Sequence, residues 1–394
     1  MSRQWDAGQL LTEAERATGL RDWGGAEYFE REFLALVDAM VQSLAHESSL
    51  NDRGRLGAEL RLAAALEARL GFIRDRRLCP EITRERIVRP LIILGLPRSG
   101  STFLHTLLSQ DPANRVPLTW EMMLPSPPPT AADQESDPRI ARIDALLAAM
   151  GLKRPEILAL HPFGARLPEE DHLMTEIVLL GDSLPALWRM PAFNRQRAAT
   201  DPAVALRTLE MVLQNLQFRH RRDRVLLKNP GYVLRLPQLL SAFPDALLVQ
   251  THRDPAKVLP SVAALLVAMR KGSSEEVPPL DKIALGNLRA FDDGLRRAIE
   301  FRSQPVNDRH FCDVHFKAMI ADPLGTVERL YAHFEITLSG AAREAMQCWL
   351  DNPQNYTPKG HHTLASCGLD EAIIDRAFGD YMSHYGIVRE RSGV

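Results

Sequence analysis

The chain predicts an α/β fold, a parallel sheet flanked by helices, with a helical segment ahead of it and a helical insertion within it. Three observations predict this. Four short apolar runs, 91–94, 225–228, 246–250 and 311–315, are continuous rather than alternating, which is the pattern of parallel strands buried on both faces. The first three are each followed by a helix-like segment, at 102–110, 231–242 and 255–270, and strand–helix alternation implies right-handed crossovers within one sheet. Between the first strand and its helix lies a short glycine-bounded loop of phosphate-cradling size.

Residues 1–85 are rich in Ala, Leu, Glu and Arg, with helical periodicity over 30–45 and 55–75. They read as a helical N-terminal segment, and residues 86–394 as the sheet domain. The first strand of that domain, Leu91-Ile92-Ile93-Leu94, runs into Gly95-Leu96-Pro97-Arg98-Ser99-Gly100, and Ser101-Thr102-Phe103 opens a helix. Gly95 and Gly100 fall where the two glycines of the Walker pattern fall, but Ser101 stands in place of its lysine. That lysine reaches the outer phosphates of a nucleoside triphosphate, and the hydroxyl residue after it holds Mg²⁺. A cradle without the lysine, carrying Arg98 inside its turn, suits a phosphate compound other than ATP.

Segment 115–223 reads as a helical substrate-binding insertion, entered through the proline-rich linker Leu124–Pro129. Inside it Pro168 opens a predicted helix on which Leu173, Met174, Ile177 and Val178 recur at three and four residues. At about 100° per residue, Glu170 points to the centre of that apolar face, Glu169 and Asp171 flank it, and His172 points to solvent. Desolvation raises a carboxyl pKa, which suits a general base acting on a hydroxyl group. Acidic residues in a first helical turn also satisfy the helix dipole without catalytic duty, and Glu169, Asp171 or a histidine are the other candidates for the base.

The second strand ends on Lys228, and Asn229-Pro230 follow. The third places Arg253 at its carboxyl end, with Asp254-Pro255 as N-cap and first helical position and Ser261 one to two turns into the helix. A fixed cation with a hydroxyl beside it suits phosphate, because charge-assisted hydrogen bonds to that anion are strong. Residues 272–279, Gly-Ser-Ser-Glu-Glu followed by Pro278-Pro279, read as a mobile lid loop. In open α/β sheets ligands gather outside the carboxyl ends of the strands. Loop 97–102, Lys228 and Arg253 all fall on that edge, so they are expected to share one site.

Pro97-Arg98-Ser99-Gly100-Ser101-Thr102-Phe103 resembles the 5′-phosphosulfate loop of sulfotransferases, and Arg253 with Ser261 resembles their 3′-phosphate site. The resemblance covers nearly the whole chain and implies a P-loop-type sheet. It also implies a donor, 3′-phosphoadenosine 5′-phosphosulfate (PAPS), with the bisphosphate PAP as product. By this resemblance Arg98, Ser99, Gly100, Ser101 and Thr102 hold the 5′-phosphate and sulfuryl oxygens, and Phe103 stacks on adenine. Arg253 and Ser261 hold the 3′-phosphate, and Lys228 stabilises the departing oxygen. Three departures are visible. Pro230 stands where the cytosolic branch carries a histidine base. Phe316 and Lys317 replace a tyrosine and a glutamate after the fourth strand. Lys359 and Gly360 match only part of the Arg-Lys-Gly segment that folds over the 3′-phosphate. Proline cannot take a proton, so the base lies elsewhere; the Pro-Glu-Glu-Asp segment of many bacterial members resembles Pro168–Asp171 and favours Glu170.

Composition fits a globular enzyme. Apolar residues make up 45% and the formal net charge is −2, which excludes a disordered chain and gives no footprint for nucleic acid. Four widely spaced cysteines, with no Cys-x-x-Cys, argue against a disulfide framework or a zinc site. The adjacent His361 and His362 lack ligand-spaced companions, so no metal is expected. There is no basic-then-apolar N-terminal signal and no apolar run approaching the ~18 residues of a membrane span, so a cytoplasmic location is expected. The expected activity is transfer of a sulfuryl group from PAPS to a hydroxyl of a small molecule, lipid or carbohydrate. A P-loop small-molecule kinase or NTPase, and a non-catalytic PAP-binding protein, are the alternatives. The acceptor and the oligomeric state stay open.

Overall fold

The computed structural model describes residues 5–352 and 362–390; Lys359 and Gly360 lie outside the described residues. The chain divides into two compact units, each discontinuous in sequence. One takes the residues up to Ile87, Pro117–Arg221 and Ala268–Val277; the other takes Val88–Val116, Arg222–Val267 and the residues from Pro278 on.

The first unit is built of helices, among them Ala7–Thr18, Glu30–His46, Asp52–Leu78, Pro138–Ala149 and Pro202–Gln217. Their starts are chemically marked: Asp6, Asn51, Asp137 and Asp201 each accept a hydrogen bond from a backbone amide of the first turn, which satisfies one of the orphan donors there. Arg61 and Glu176 form a pair whose side chains are 3% and 5% exposed. Ser183 Oγ joins them, donating to Glu176 Oε1 (2.6 Å) and accepting from Arg61 (2.8 Å).

Two stretches of this unit are more fixed than their composition suggests. Carbonyls of the proline-rich stretch accept from Asn215 Nδ2 (Pro125, 2.7 Å) and from Arg139 (Leu124, 2.9 Å; Pro127, 2.7 Å). The expected lid at 272–279 is corrected by the structure. Ser273 and Ser274 are buried, Ser274 bridges to Leu50, and the Glu275 amide donates to the Ser49 carbonyl at 2.8 Å. Gly and Ser in a row signal a turn, but nothing in that composition reveals the backbone waiting to pair with it.

The second unit holds a five-stranded parallel sheet in the order β2–β3–β1–β4–β5, where β1 is Leu91–Gly95, β2 Asn114–Arg115, β3 Arg224–Lys228, β4 Leu247–His252 and β5 Phe311–His315. All five residues of β1 are buried, as its unbroken apolar run requires. The short edge strand β2 escaped the sequence reading because a polar pair carries no periodicity. The segments after β1 and β4 are helices, Ser101–Leu108 and Pro255–Lys271. After β3 comes a 3₁₀ turn, Pro230–Leu234, and then the helix Leu236–Ala242. One face of the sheet closes on a core that includes Ile93, Leu104, Leu226, Val249, Met319 and Tyr331. No helix among the described residues is long and apolar enough to cross a membrane.

Candidate active site

The loop between β1 and its helix is held by glycine and by one buried hydroxyl. Gly95 has φ 130° and Gly100 φ 92°. A Cβ at Gly95 would lie 2.4 Å from the Thr251 carbonyl, and one at Gly100 would lie 2.5 Å from Met319, so neither position admits a side chain. Arg98 itself takes the left-handed region, φ 67°, which costs a non-glycine residue about 1 kcal/mol or more. Ser99 is fully buried; its hydroxyl donates to the Leu96 carbonyl and lies 2.6 Å from Thr251 Oγ1. Thr251 in turn donates to the Leu94 carbonyl at 3.1 Å. The side chain of Ser99 therefore ties the loop to β4. Gly100 precedes the helix Ser101–Leu108, whose N-terminus has no side-chain cap.

Lys228 ends β3 in register with Ile93 of β1 and is 1% exposed. The chain turns at once: the Asn229 amide donates to the Ile93 carbonyl, and Asn229 Oδ1 accepts from the Gly231 amide, both at 2.9 Å. Pro230, at the position where the cytosolic branch of the family it resembles carries a histidine, is the first residue of that turn.

Arg253 follows β4 directly. Its Nη1 donates to the Arg98 carbonyl at 3.1 Å, and its guanidinium lies 3.9 Å from the centre of the Phe316 ring. Nε and Nη2 donate to the two carboxylate oxygens of Glu390, at 3.0 and 3.1 Å. Ser261 receives Arg98 rather than Arg253: Arg98 Nε donates to Ser261 Oγ at 3.0 Å. The two arginines, the serine and the loop thus form one hydrogen-bonded cluster on the carboxyl edge of the sheet, with Lys228 on the same edge. Asp254 is buried and accepts from the Ala256 amide at 2.9 Å, the N-cap its Asp-Pro sequence predicts. Phe103 packs edge-on against Trp349 with ring centres 5.5 Å apart.

Behind Arg253 sits a polar network that no sequence motif announces. His252, with a side chain 0% exposed, reaches Asp313 Oδ1 of β5 at 2.8 Å and the Tyr381 hydroxyl at 3.0 Å. Arg302 donates to both Asp313 oxygens, at 2.7 and 2.8 Å. Burial pushes the His252 pKa down, with Asp313 opposing it. Burial alone would raise that of Asp313, but Arg302 and His252 together hold it well below the usual carboxylate range. Phe316, noted in the sequence as a lost tyrosine, has become the platform under Arg253.

Glu170 belongs to the first unit, and the structure corrects its local setting. Pro168 does not open a helix. It bridges to Leu118, and the Thr119 and Trp120 amides donate to the Leu167 and Ala165 carbonyls at 3.0 Å. Residues committed to that pairing cannot start a helical turn, so Glu170 is extended (φ −70°, ψ 134°) and precedes a 3₁₀ helix, Asp171–Val178. A 3₁₀ helix has three residues per turn, so the 100° step misplaced its neighbours. His172 does not face solvent: its side chain is 11% exposed, with Nε2 3.6 Å from Glu170 Oε2. Burial opposes charge on His172, but Glu170 outweighs it and the pKa rises. Glu169 hydrogen-bonds His161 at 2.6 Å.

Comparison with known proteins agrees with this geometry. Residues 90–340 match the description of the sulfotransferase family. Omega-hydroxy-beta-dihydromenaquinone-9 sulfotransferase Stf3 of Mycobacterium bovis is 27% identical over 312 residues, 76% of each chain. The crystal structure of sulfotransferase STF1 from Mycobacterium tuberculosis H37Rv is 30% identical, covering 96% of this chain and 100% of that one with a TM-score of 0.78. Sulfotransferase STF9 from Mycobacterium avium shares the fold over 100% of both chains, with a TM-score of 0.86 at 23% identity. With its loop, its strand-tip cations and these likenesses taken together, the chain belongs to the sulfotransferase family, and its class of chemistry is transfer of a sulfuryl group.

Proposed function

We propose that the donor is PAPS and that the acceptor is a hydroxyl of a lipid-like small molecule. One observation carries the donor reading: Arg98, Ser261 and Arg253 form a single cluster on the glycine-bounded loop. That donor set fits the group. The glycines at 95 and 100 take positive φ with no room for a Cβ, which keeps the loop in its tight turn. The helix after Gly100 offers amides and a dipole suited to an anion. When bound, the donor supplies the sulfuryl group and a bisphosphate leaving group. Arg98 and the backbone amides of Ser99–Thr102 would hold the 5′-phosphate and sulfuryl oxygens. Arg253 and Ser261 would hold the 3′-phosphate. Lys228 would stabilise negative charge gathering on the departing oxygen, the kind of fixed-charge contribution that dominates group transfer between oxyanions. Glu170 would accept the proton of the acceptor hydroxyl, with His172 setting the charge it feels. Phe103 would present its ring to the adenine. For the acceptor, the support is the omega-hydroxy-beta-dihydromenaquinone-9 in the name of Stf3.

Titration calorimetry with PAP, run beside ATP–Mg²⁺, tests the donor. PAP is expected to bind wild type, and Arg253→Ala to lose about 2–5 kcal/mol of that affinity. Binding of ATP–Mg²⁺ without PAP would turn the reading to the kinase alternative. The acceptor reading is tested by turnover with PAPS and ω-hydroxylated isoprenoids against phenols and sugars; preference for a phenol or sugar would refute it.

A further inference from the structure

We propose that Glu390 is an internal competitor for the donor site, a carboxylate latch on Arg253 that the 3′-phosphate displaces; this rests on the donor reading above. The contact is a fork on a fork. Both oxygens of Glu390 receive donors from Arg253, at 3.0 and 3.1 Å, with side chains 24% and 14% exposed. This is the geometry in which a guanidinium grips two phosphate oxygens. With Nη1 given to the Arg98 carbonyl, all three nitrogens of Arg253 already have acceptors. A phosphate brought to this arginine while Glu390 remains would meet a like charge and an arginine whose charge is already balanced, and like charges within a few ångströms oppose each other's ionisation. The two anions therefore compete for this arginine.

The segment that carries Glu390 is attached at points that do not involve Arg253. The Glu390 amide donates to Asp254 Oδ2 at 2.7 Å, and Arg389 donates to Asp254 Oδ1 at 2.8 Å. Arg389 also pairs with Asp375 of the helix Glu371–His384. In the same helix the Tyr381 hydroxyl meets His252, the residue before Arg253. Main chain and neighbour thus hold the strap in place, and only the Glu390 side chain must rotate to give up the arginine. The latch keeps Arg253 ordered and neutralised until a dianion arrives. It lowers apparent affinity to the intrinsic affinity multiplied by the fraction of molecules whose latch is open.

The test is calorimetry with PAP and with adenosine 5′-phosphate, which lacks the 3′-phosphate, on wild type, Glu390→Gln, Glu390→Ala and Arg253→Ala. Both Glu390 variants are expected to bind PAP about tenfold or more tightly than wild type, while adenosine 5′-phosphate changes less than about twofold or binds none of the proteins. PAP bound by the Glu390 variants alone would support both the latch and the donor. PAP affinity that is unchanged or weaker in the Glu390 variants, with wild type binding PAP through Arg253, overturns the latch and leaves the donor reading standing. Equal tightening of adenosine 5′-phosphate also overturns it, since the effect would not lie at the 3′-phosphate. If neither wild type nor either Glu390 variant binds PAP, the donor reading falls and the latch with it.

Discussion

Lys228, proposed to stabilise the departing oxygen, occupies an unusual position. It ends a buried strand and is itself 1% exposed, a position an ammonium rarely takes without a task, because burying charge is costly. Lys228→Met keeps the bulk and removes the charge. We expect kcat to fall by about 10²-fold or more, with PAP affinity much less affected; equal kcat would remove Lys228 from the chemistry. Ser99 shows the converse. The loop motif made it a ligand candidate, but its hydroxyl is committed to Leu96 and Thr251. Ser99→Ala is expected to cost about 1–3 kcal/mol of stability by stranding buried polar groups, read by chemical denaturation. At this scale the sequence was informative where chain-local spacing decides the geometry, as at the Asp254 N-cap, whereas it paired Ser261 with Arg253 and the structure gives Ser261 to Arg98. It was silent about Glu390, because nothing local ties a residue near the C-terminus to an arginine so far upstream. The correspondence for Lys359 and Gly360 falls outside the described residues.

Among elements, β4 and β5 are joined at their carboxyl ends by the His252–Asp313–Arg302 network. Both His252 and Asp313 take up protons less readily when folded than when unfolded. The stability they confer is thus in place above the ordinary histidine pKa of about 6.5. It is lost as pH falls, first through the histidine and then, below about pH 4, through the carboxylate. Denaturation between pH 7 and pH 3.5 should show a steep decline in wild type and a shallower one below about pH 4.5 in Asp313→Asn; parallel curves would deny the network that role. The strands themselves were readable because each is an unbroken apolar run. The segment after Pro168 is ambiguous in sequence for a physical reason. Apolar residues at three and four apart suit an α-helix and a 3₁₀ helix almost equally over two turns, and the bridge to Leu118 that decides between them lies far away in sequence. Helix period could not supply that.

Across the whole molecule, the sequence showed the α/β class and one converging edge, but not that its helices and strands sort into two units that each draw on separate stretches of chain. The first unit depends on a charge pair, Arg61 with Glu176, deep inside it. Glu176→Ala leaves an uncompensated buried guanidinium and is expected to destabilise by about 3–5 kcal/mol, whereas Arg61→Met with Glu176→Leu together should recover most of the loss; thermal unfolding of the three proteins checks this. The sheet order carries a consequence of another kind, for synthesis on the ribosome. β1 is the central strand, yet it ends at Gly95 and its inner neighbours are β3, which begins at Arg224, and β4. At about 5–20 residues per second, the interval before the first of them emerges is on the order of ten seconds. Throughout that time a wholly apolar strand has no partner on either side. The nascent chain must therefore be shielded by helices made earlier or by a chaperone, and the order of strands in the finished sheet sets how long that shelter has to last.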